Sequence, residues 1–208
     1  MLNTDGLFER ILSSLVSLDR APIWLRDWII FEQEATLIRR FQPLLVPGLL
    51  QTEAYARAVL EWGGLLDESD AEKSVVSRME RQAVLSKPRP PQFIALVDDG
   101  VLRRVVGSPA LMVEQRERLL KVADLPHISI QVVPASAGAH AGLSGPFILA
   151  KGRDFEAAHL DNSLQAQVID RRDAVDALVR KWEAIRGEAL SRTQSFDVIK
   201  EAARAWQT

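Results

Sequence analysis

The chain has 208 residues, 47% of them hydrophobic and 26% charged, so it can bury a sizeable core and belongs with globular rather than disordered proteins. Its 26 Lys and Arg against 28 Asp and Glu leave a net charge of −2, which excludes a general electrostatic pull toward nucleic acid or anionic lipid. With no cysteine, disulfides, thiol nucleophiles, Cys-ligated zinc and iron–sulfur clusters are excluded as well.

Met1 to Asp5 lack the basic and apolar stretches of a secretory signal, and no apolar run approaches the ~18 residues that cross a bilayer. The expectation is a cytoplasmic protein with no membrane contact. Leu7, Ile11, Leu15 and Leu18 recur at helical spacing behind Asp5, an N-cap type. Pro22 suits the first turn of a second helix carrying Trp24, Trp28, Phe31, Ala35, Ile38 and Phe41, which Pro43 and Pro47-Gly48 end. Thr52 then caps a short helix through Trp62, broken by Gly63-Gly64. Ser69 with Glu72 has the capping-box spacing, and the helix it opens is expected to reach about Leu85. Lys87-Pro88-Arg89-Pro90-Pro91 is a stiff connection and marks a boundary between a helical subdomain, 1–87, and a sheet-and-helix subdomain, 88–208, packed as one compact unit.

Beyond that boundary, Phe93-Ile94-Ala95-Leu96-Val97 reads as a buried strand closed by a turn at Asp98-Asp99-Gly100. Ser108-Pro109 opens a helix with Leu111, Met112, Gln115, Leu119 and Leu120 on one side. Residues 128–133 alternate as a strand that Pro134 stops, and a loop with Gly138, Gly142 and Gly145 follows. Short strands are expected at 147–149, 157–160 and 168–169. Two helices close the chain, one carrying Val175, Leu178, Val179, Trp182, Ile185 and Ala189. The other opens at the capping box Ser191-Arg192-Thr193-Gln194 and carries Phe196, Ile199, Ala203 and Trp206. The sum is an α+β fold: a helical N-terminal half packed with a small antiparallel sheet and two C-terminal helices.

The chemistry-bearing residues form no standard constellation. Gly142-Leu143-Ser144-Gly145-Pro146 resembles a nucleophile elbow, but Pro146 stands where the second small residue belongs and a strand, not a helix, follows. His127, His140 and His159 have no metal-ligand spacing, so neither a metal nor a cofactor is expected. The glycine loop matches no phosphate-binding fingerprint and reads as a tight crossover between strands. Arg39-Arg40, Arg103-Arg104, Arg116 with Arg118, and Arg171-Arg172 are each offset by acids, and no helix pair has recognition-helix character, so the chain is not expected to bind DNA by itself. His140 stands out, because it lies mid-loop between glycines where no packing demand is evident.

Four blocks recur together in one family. The first joins Trp24-Leu25-Arg26-Asp27-Trp28 and its continuation to Ala35 with Phe41-Gln42-Pro43-Leu44-Leu45-Val46-Pro47-Gly48-Leu49-Leu50-Gln51-Thr52-Glu53-Ala54-Tyr55-Ala56-Arg57. The others are Arg78 with Arg81-Gln82-Ala83-Val84-Leu85; Leu102-Arg103-Arg104-Val105-Val106-Gly107 with Met112 and Gln115; and Ile130-Gln131-Val132-Val133-Pro134 with Gly138-Ala139-His140-Ala141-Gly142 and Gly145-Pro146-Phe147. With these the chain resembles, over nearly its whole length, the C-terminal regulatory domain of the Scr-type, antitoxin-like transcriptional regulators of actinobacteria. In that family a helix-turn-helix domain of the XRE type precedes this one and binds DNA. The resemblance implies an effector and interaction domain that binds a small acidic partner protein or a small-molecule ligand and controls dimerisation or DNA binding, with DNA reached only through the helix-turn-helix domain this chain lacks.

The candidate ligand or partner residues are His140, Gly138, Gly142, Ser144, Gln51 and Arg103; none is assigned as catalytic. Replacing His140 by Ala is expected to weaken binding with little change in melting temperature if its role is functional, and to unfold the protein if it is structural. Residues 43–52 are a second candidate, either lining a cleft or serving as a buried connector. The alternative is a stand-alone small-molecule-binding protein or a biosynthetic enzyme derived from such a domain, with His140, Asp161 and Glu34 as acid–base groups. A purely structural dimerisation module is a third.

Overall fold

The computed structural model describes residues 23–62, 64, 66–160 and 167–204. The helix expected behind Asp5, the cap at Pro22, Gly63, Asp161 and Trp206 lie outside the described residues. Helix α1 spans Ile23–Glu34 and is followed at once by strand β1, Leu37–Gln42. The helix expected to carry Ile38 and Phe41 therefore ends at Glu34, and those two residues belong to a strand. Helices α2 (Glu53–Trp62) and α3 (Glu68–Arg81) follow, the second continuing as a 3-10 turn over Gln82–Ser86. The N-cap of α3 is Asp67, whose carboxylate accepts from Asp70 N at 2.8 Å, so Ser69 lies inside the helix rather than capping it.

Strand β2 (Gln92–Asp98) leads into a short helix α4 (Asp99–Arg103), then α5 (Pro109–Ala123) and strand β3 (Ile128–Val133). The expected turn at Asp98 is the N-cap of α4, and Ser108 caps α5 with Pro109 in its first turn. Strands β4 (Phe147–Lys151), β5 (Glu156–Leu160) and β6 (Gln167–Ile169) precede helices α6 (Arg172–Glu188) and α7 (Arg192–Arg204). The last capping box forms reciprocally: Gln194 N donates to Ser191 Oγ at 3.3 Å and Ser191 N to Gln194 Oε1 at 3.1 Å.

The six strands make one sheet in the order β3-β2-β1-β4-β5-β6. The fold is α+β, but the sheet is mixed: β1, β2 and β3 run parallel to one another, and the antiparallel pairs are β1 with β4, β4 with β5 and β5 with β6. Strand β1 sits between β2 and β4, so the sheet straddles the stiff connection at 87–91 and unites the two expected subdomains. One face carries Ile38, Phe93, Ala95, Val97, Ile130 and Val132 into a core closed by α1, α5 and α7, among others. The opposite face carries Phe41, Leu96, Phe147 and Leu149 against Val175, Trp182 and Ile185 of α6. Among the described residues, no helix is long and apolar enough to cross a membrane.

Candidate functional site

Because β1, β2 and β3 are parallel and β4 returns beside β1, with Phe41 paired to Phe147, three connections leave the sheet at one edge. They are residues 43–52 after β1, Asp98-Asp99 after β2, and the glycine loop between β3 and β4. The strand order also reverses between β1 and β4, the position at which open sheets with parallel strands commonly hold ligands.

Residues 43–52 contain little regular structure, so their backbone groups need side-chain partners. Four residues supply them. Gln51 Nε2 donates to Val46 O at 2.7 Å, and Val46 N donates to the Tyr55 hydroxyl at 3.3 Å. Gln82 Nε2 donates to the carbonyls of Gly48 (3.1 Å) and Gln51 (2.8 Å). Gln115 receives Thr52 N at 2.8 Å and donates to Leu50 O at 2.9 Å. The segment is thus a pinned connector, and it also forms the wall of a cavity.

That cavity, about 130 Å³, lies between the sheet and α3. Arg40 and Gln42 of β1, His159 of β5, Arg78 and Arg81 of α3, and Gln51 supply its polar lining. Ile38, Arg40 and Gln42 alternate onto the same sheet face, which is how a strand sends two polar side chains inward. Arg78 Nη1 donates to Gln51 Oε1 at 2.9 Å. Arg81 grips the fully buried Glu32 of α1 with Nε at 2.8 Å and Nη2 at 2.7 Å, and Trp28 Nε1 donates to the same carboxylate at 3.1 Å. The Trp28 ring in turn lies 5.3 Å, centroid to centroid, from His159. Next to the cavity is an apolar groove of about 290 Å³, where Trp62 (92% exposed), Leu44 (54%) and Val105 (53%) stand open. Leu45 and Val59 line both spaces.

The glycine loop is built differently. The His140 side chain is only 3% exposed. Its Nδ1 accepts from Gly142 N at 3.1 Å, which leaves Nε2 to carry the hydrogen facing Asp98 Oδ2 at 3.4 Å. The ring stands edge-on to Phe41 with centroids 6.1 Å apart. His140 is therefore a packed latch between the loop and the cap of α4. Gly142 is required by close approach, since a Cβ there would lie 2.3 Å from Phe41 Cζ. Gly138, at φ +65°, occupies the left-handed region that glycine tolerates. Ser144 accepts from Lys181 Nζ of α6 at 2.5 Å and donates to Ala141 O at 3.2 Å. Burial holds the Lys181 ammonium below the usual lysine pKa, and that ammonium also lies over the Phe147 ring at 5.1 Å.

Of the six sequence candidates, Gly138, His140, Gly142 and Ser144 share this loop, Gln51 lines the cavity, and Arg103 is exposed on α4, paired with Asp99 Oδ2 at 2.7 Å. Glu34 ends α1 just before β1, at the sheet edge opposite the glycine loop, so it and His140 form no acid–base pair. Sequence reasoning missed Arg40, Arg78, Arg81, Glu32 and His159 as site residues. Arg39-Arg40 read as a solvated surface because the strand carrying them was not seen. Among the described residues no cluster of acids and histidines could hold a metal ion.

Comparison with curated proteins and with solved structures found no match. A family model matches residues 25–201, most of the chain, and its description is a domain of unknown function, DUF5753. The matched span contains the whole of the sheet, the cavity and the glycine loop, and the chain belongs to the DUF5753 family.

Proposed function

We propose that the chain is the effector domain of a cytoplasmic transcriptional regulator, binding a small-molecule ligand in the cavity between β1 and α3. The observation that carries this reading is where the signature residues lie. Two of the four blocks on which the resemblance to Scr-type regulators rests, 41–57 and 78–85, meet around that one cavity through Gln42, Gln51, Arg78 and Arg81. A ligand there touches α1 through Leu25 and acts on it through the Glu32–Arg81 pair. In the regulators it resembles, the DNA-binding domain precedes this one, so a shift of α1 is the route by which ligand binding reaches DNA. A small acidic partner protein and a homodimer belong to the same proposal, on the resemblance alone.

Native mass spectrometry of the protein, purified gently from its own host, tests it. A single small molecule retained on the wild-type chain and lost from Arg78→Gln is expected. A bare protein that also shows no change with host metabolite extract contradicts the reading. A second reading, a derived enzyme, draws on the Ser144–Lys181 contact, because a serine beside a lysine depressed by burial is one form of activated nucleophile. Ser144 directs its own hydroxyl hydrogen at the Ala141 carbonyl, which favours a latch between the loop and α6.

A further inference from the structure

We infer that the chain has a second binding site at the outer edge of β3, where a small capped amino acid with an apolar side chain exchanges two hydrogen bonds with the Ile130 backbone. The register fixes which groups face outward. Phe93 N donates to His127 O at 2.8 Å, and β2 and β3 pair in parallel with Phe93 opposite Ile128 and Ala95 opposite Ile130. A parallel ladder bonds through alternate residues, so Ser129 and Gln131 serve β2, while Ile128, Ile130 and Val132 turn their N–H and C=O groups away from it. Strand β3 is the outermost strand on that side, so no further strand of the sheet receives them.

The edge is closed on either side of Ile130 but not at it. Ile128 N donates to Leu125 O at 3.1 Å. Val132 N donates to Ser195 Oγ at 2.9 Å, and Leu190 N donates to Val132 O at 2.8 Å. Ile130 N and O have no hydrogen-bond partner among the described residues, although Ile130 is buried. The cause lies in α7. One helical turn of about 5.4 Å and two strand residues of about 6.6 Å advance by similar amounts. With Ser195 on Val132, the residue one turn on is Ile199, which falls beside Ile130 and has no polar group to offer.

That place is hollow. A cavity of about 270 Å³ is lined by Ile130, by Ala123 of α5 and by Phe196 and Ile199 of α7. Arg192, also in its wall, donates from Nη2 to Ala123 O at 2.6 Å and Leu125 O at 3.3 Å, which ties the start of α7 to the end of α5. An unpaired main-chain donor and acceptor, side by side and buried, call for a ligand with the matching pair at the spacing of one extended residue. An N-acylated amino acid amide carries that pair. Its N–H donates to Ile130 O and its C=O receives Ile130 N, as two residues do in an antiparallel pair, and the apolar walls suit a leucine-sized side chain. Because Ile128 N and both groups of Val132 are already taken, one residue alone can pair, which selects a small molecule over a peptide strand. None of these residues lines the cavity between β1 and α3, so the site stands apart from the function proposed above.

Titration of isotope-labelled protein with N-acetyl-leucinamide, followed at the Ile130 amide signal by nuclear magnetic resonance, tests this. A saturable shift of that signal is expected. The ester analogue, with oxygen in place of the leucine N–H, should bind about tenfold more weakly because it leaves Ile130 O unpaired. Thr193→Trp, at an exposed position in the cavity wall, should fill the space and abolish the shift while the protein stays folded by circular dichroism. Lys200→Gln, exposed on α7 outside the lining, and Arg78→Gln, in the other cavity, should leave binding unchanged. If Thr193→Trp does not fold, the ester comparison decides alone. No saturable shift at Ile130, an ester that binds as tightly as the amide, or a longer peptide around the same leucine that binds more tightly overturns the inference.

Discussion

The Glu32–Arg81 pair ties α1 to α3 beneath the cavity, and replacing one member should damage the fold far more than replacing both. Glu32 is fully buried and the Arg81 side chain is 9% exposed, with two near-parallel N–H···O bonds of 2.8 and 2.7 Å between them. Arg81→Met leaves a buried carboxylate that has lost both guanidinium bonds, and Glu32→Met takes from Arg81 the carboxylate that two of its donors serve. Each single change is expected to cost about 3–5 kcal/mol, because a charge stays buried without its counter-charge. For a domain whose whole stability is about 5–15 kcal/mol, that is a large fraction. With a urea m-value near about 3 kcal/mol/M, the midpoint should fall by about 1 M or more. The double variant removes both charges, and among its remaining losses is the acceptor of Trp28 Nε1, an unmade bond of about 1–3 kcal/mol. It should therefore be more stable than the sum of the singles implies by several kcal/mol. Equilibrium urea denaturation of the four proteins at neutral pH reads the cycle. Single-variant losses below about 1 kcal/mol, the range of exposed ion pairs, or strict additivity would refute the reasoning.

Other consequences are as direct. Gly142→Ala should destabilise by about 1–3 kcal/mol in thermal or urea unfolding, since its methyl group meets the Phe41 ring at 2.3 Å and His140 Cε1 at 2.7 Å; wild-type stability in this variant would show that the loop is not packed there. His140→Ala should lower the melting temperature rather than act on ligand affinity alone, because it removes the acceptor for Gly142 N and a packed ring. Burial raises the pKa of the Tyr55 phenol above its ordinary value of 10, so the unfolded chain ionises first as pH rises. The stability difference between wild type and Tyr55→Phe should accordingly be constant below pH 10 and shift against the wild type above it; a pH-independent difference contradicts the assignment. A fluorophosphonate probe should leave Ser144 unlabelled, whereas labelling lost in Lys181→Met would favour the enzyme reading.

Much of the fold was legible because its signals are local. Ser108-Pro109, Thr52 and the Ser191–Gln194 box mark helix starts through their own side chains, and Pro134 stops β3 by removing a donor. Strand β1 was hidden for a physical reason that bears on function. Trp28, Phe31, Ala35, Ile38 and Phe41 happen to follow helical spacing across a junction that has no proline or glycine. The period-2 signal of β1 is erased because its inward face carries Arg40 and Gln42 into the cavity. Losing that strand also lost the site, since Arg40 then counted as surface charge. The parallel sense of β1 to β3 is set by long-range pairing, to which local patterning is blind. His140 drew notice as a polar residue with no evident packing demand, and that demand comes from Phe41 and Asp98, distant in sequence.

The crystal structure of the protein with the small molecule it retains from its own host tests the central claim most directly. The account predicts density for that molecule in the cavity between β1 and α3, against Gln51 and Arg78. The molecule bound elsewhere, with the cavity closed by the protein's own side chains, would contradict it.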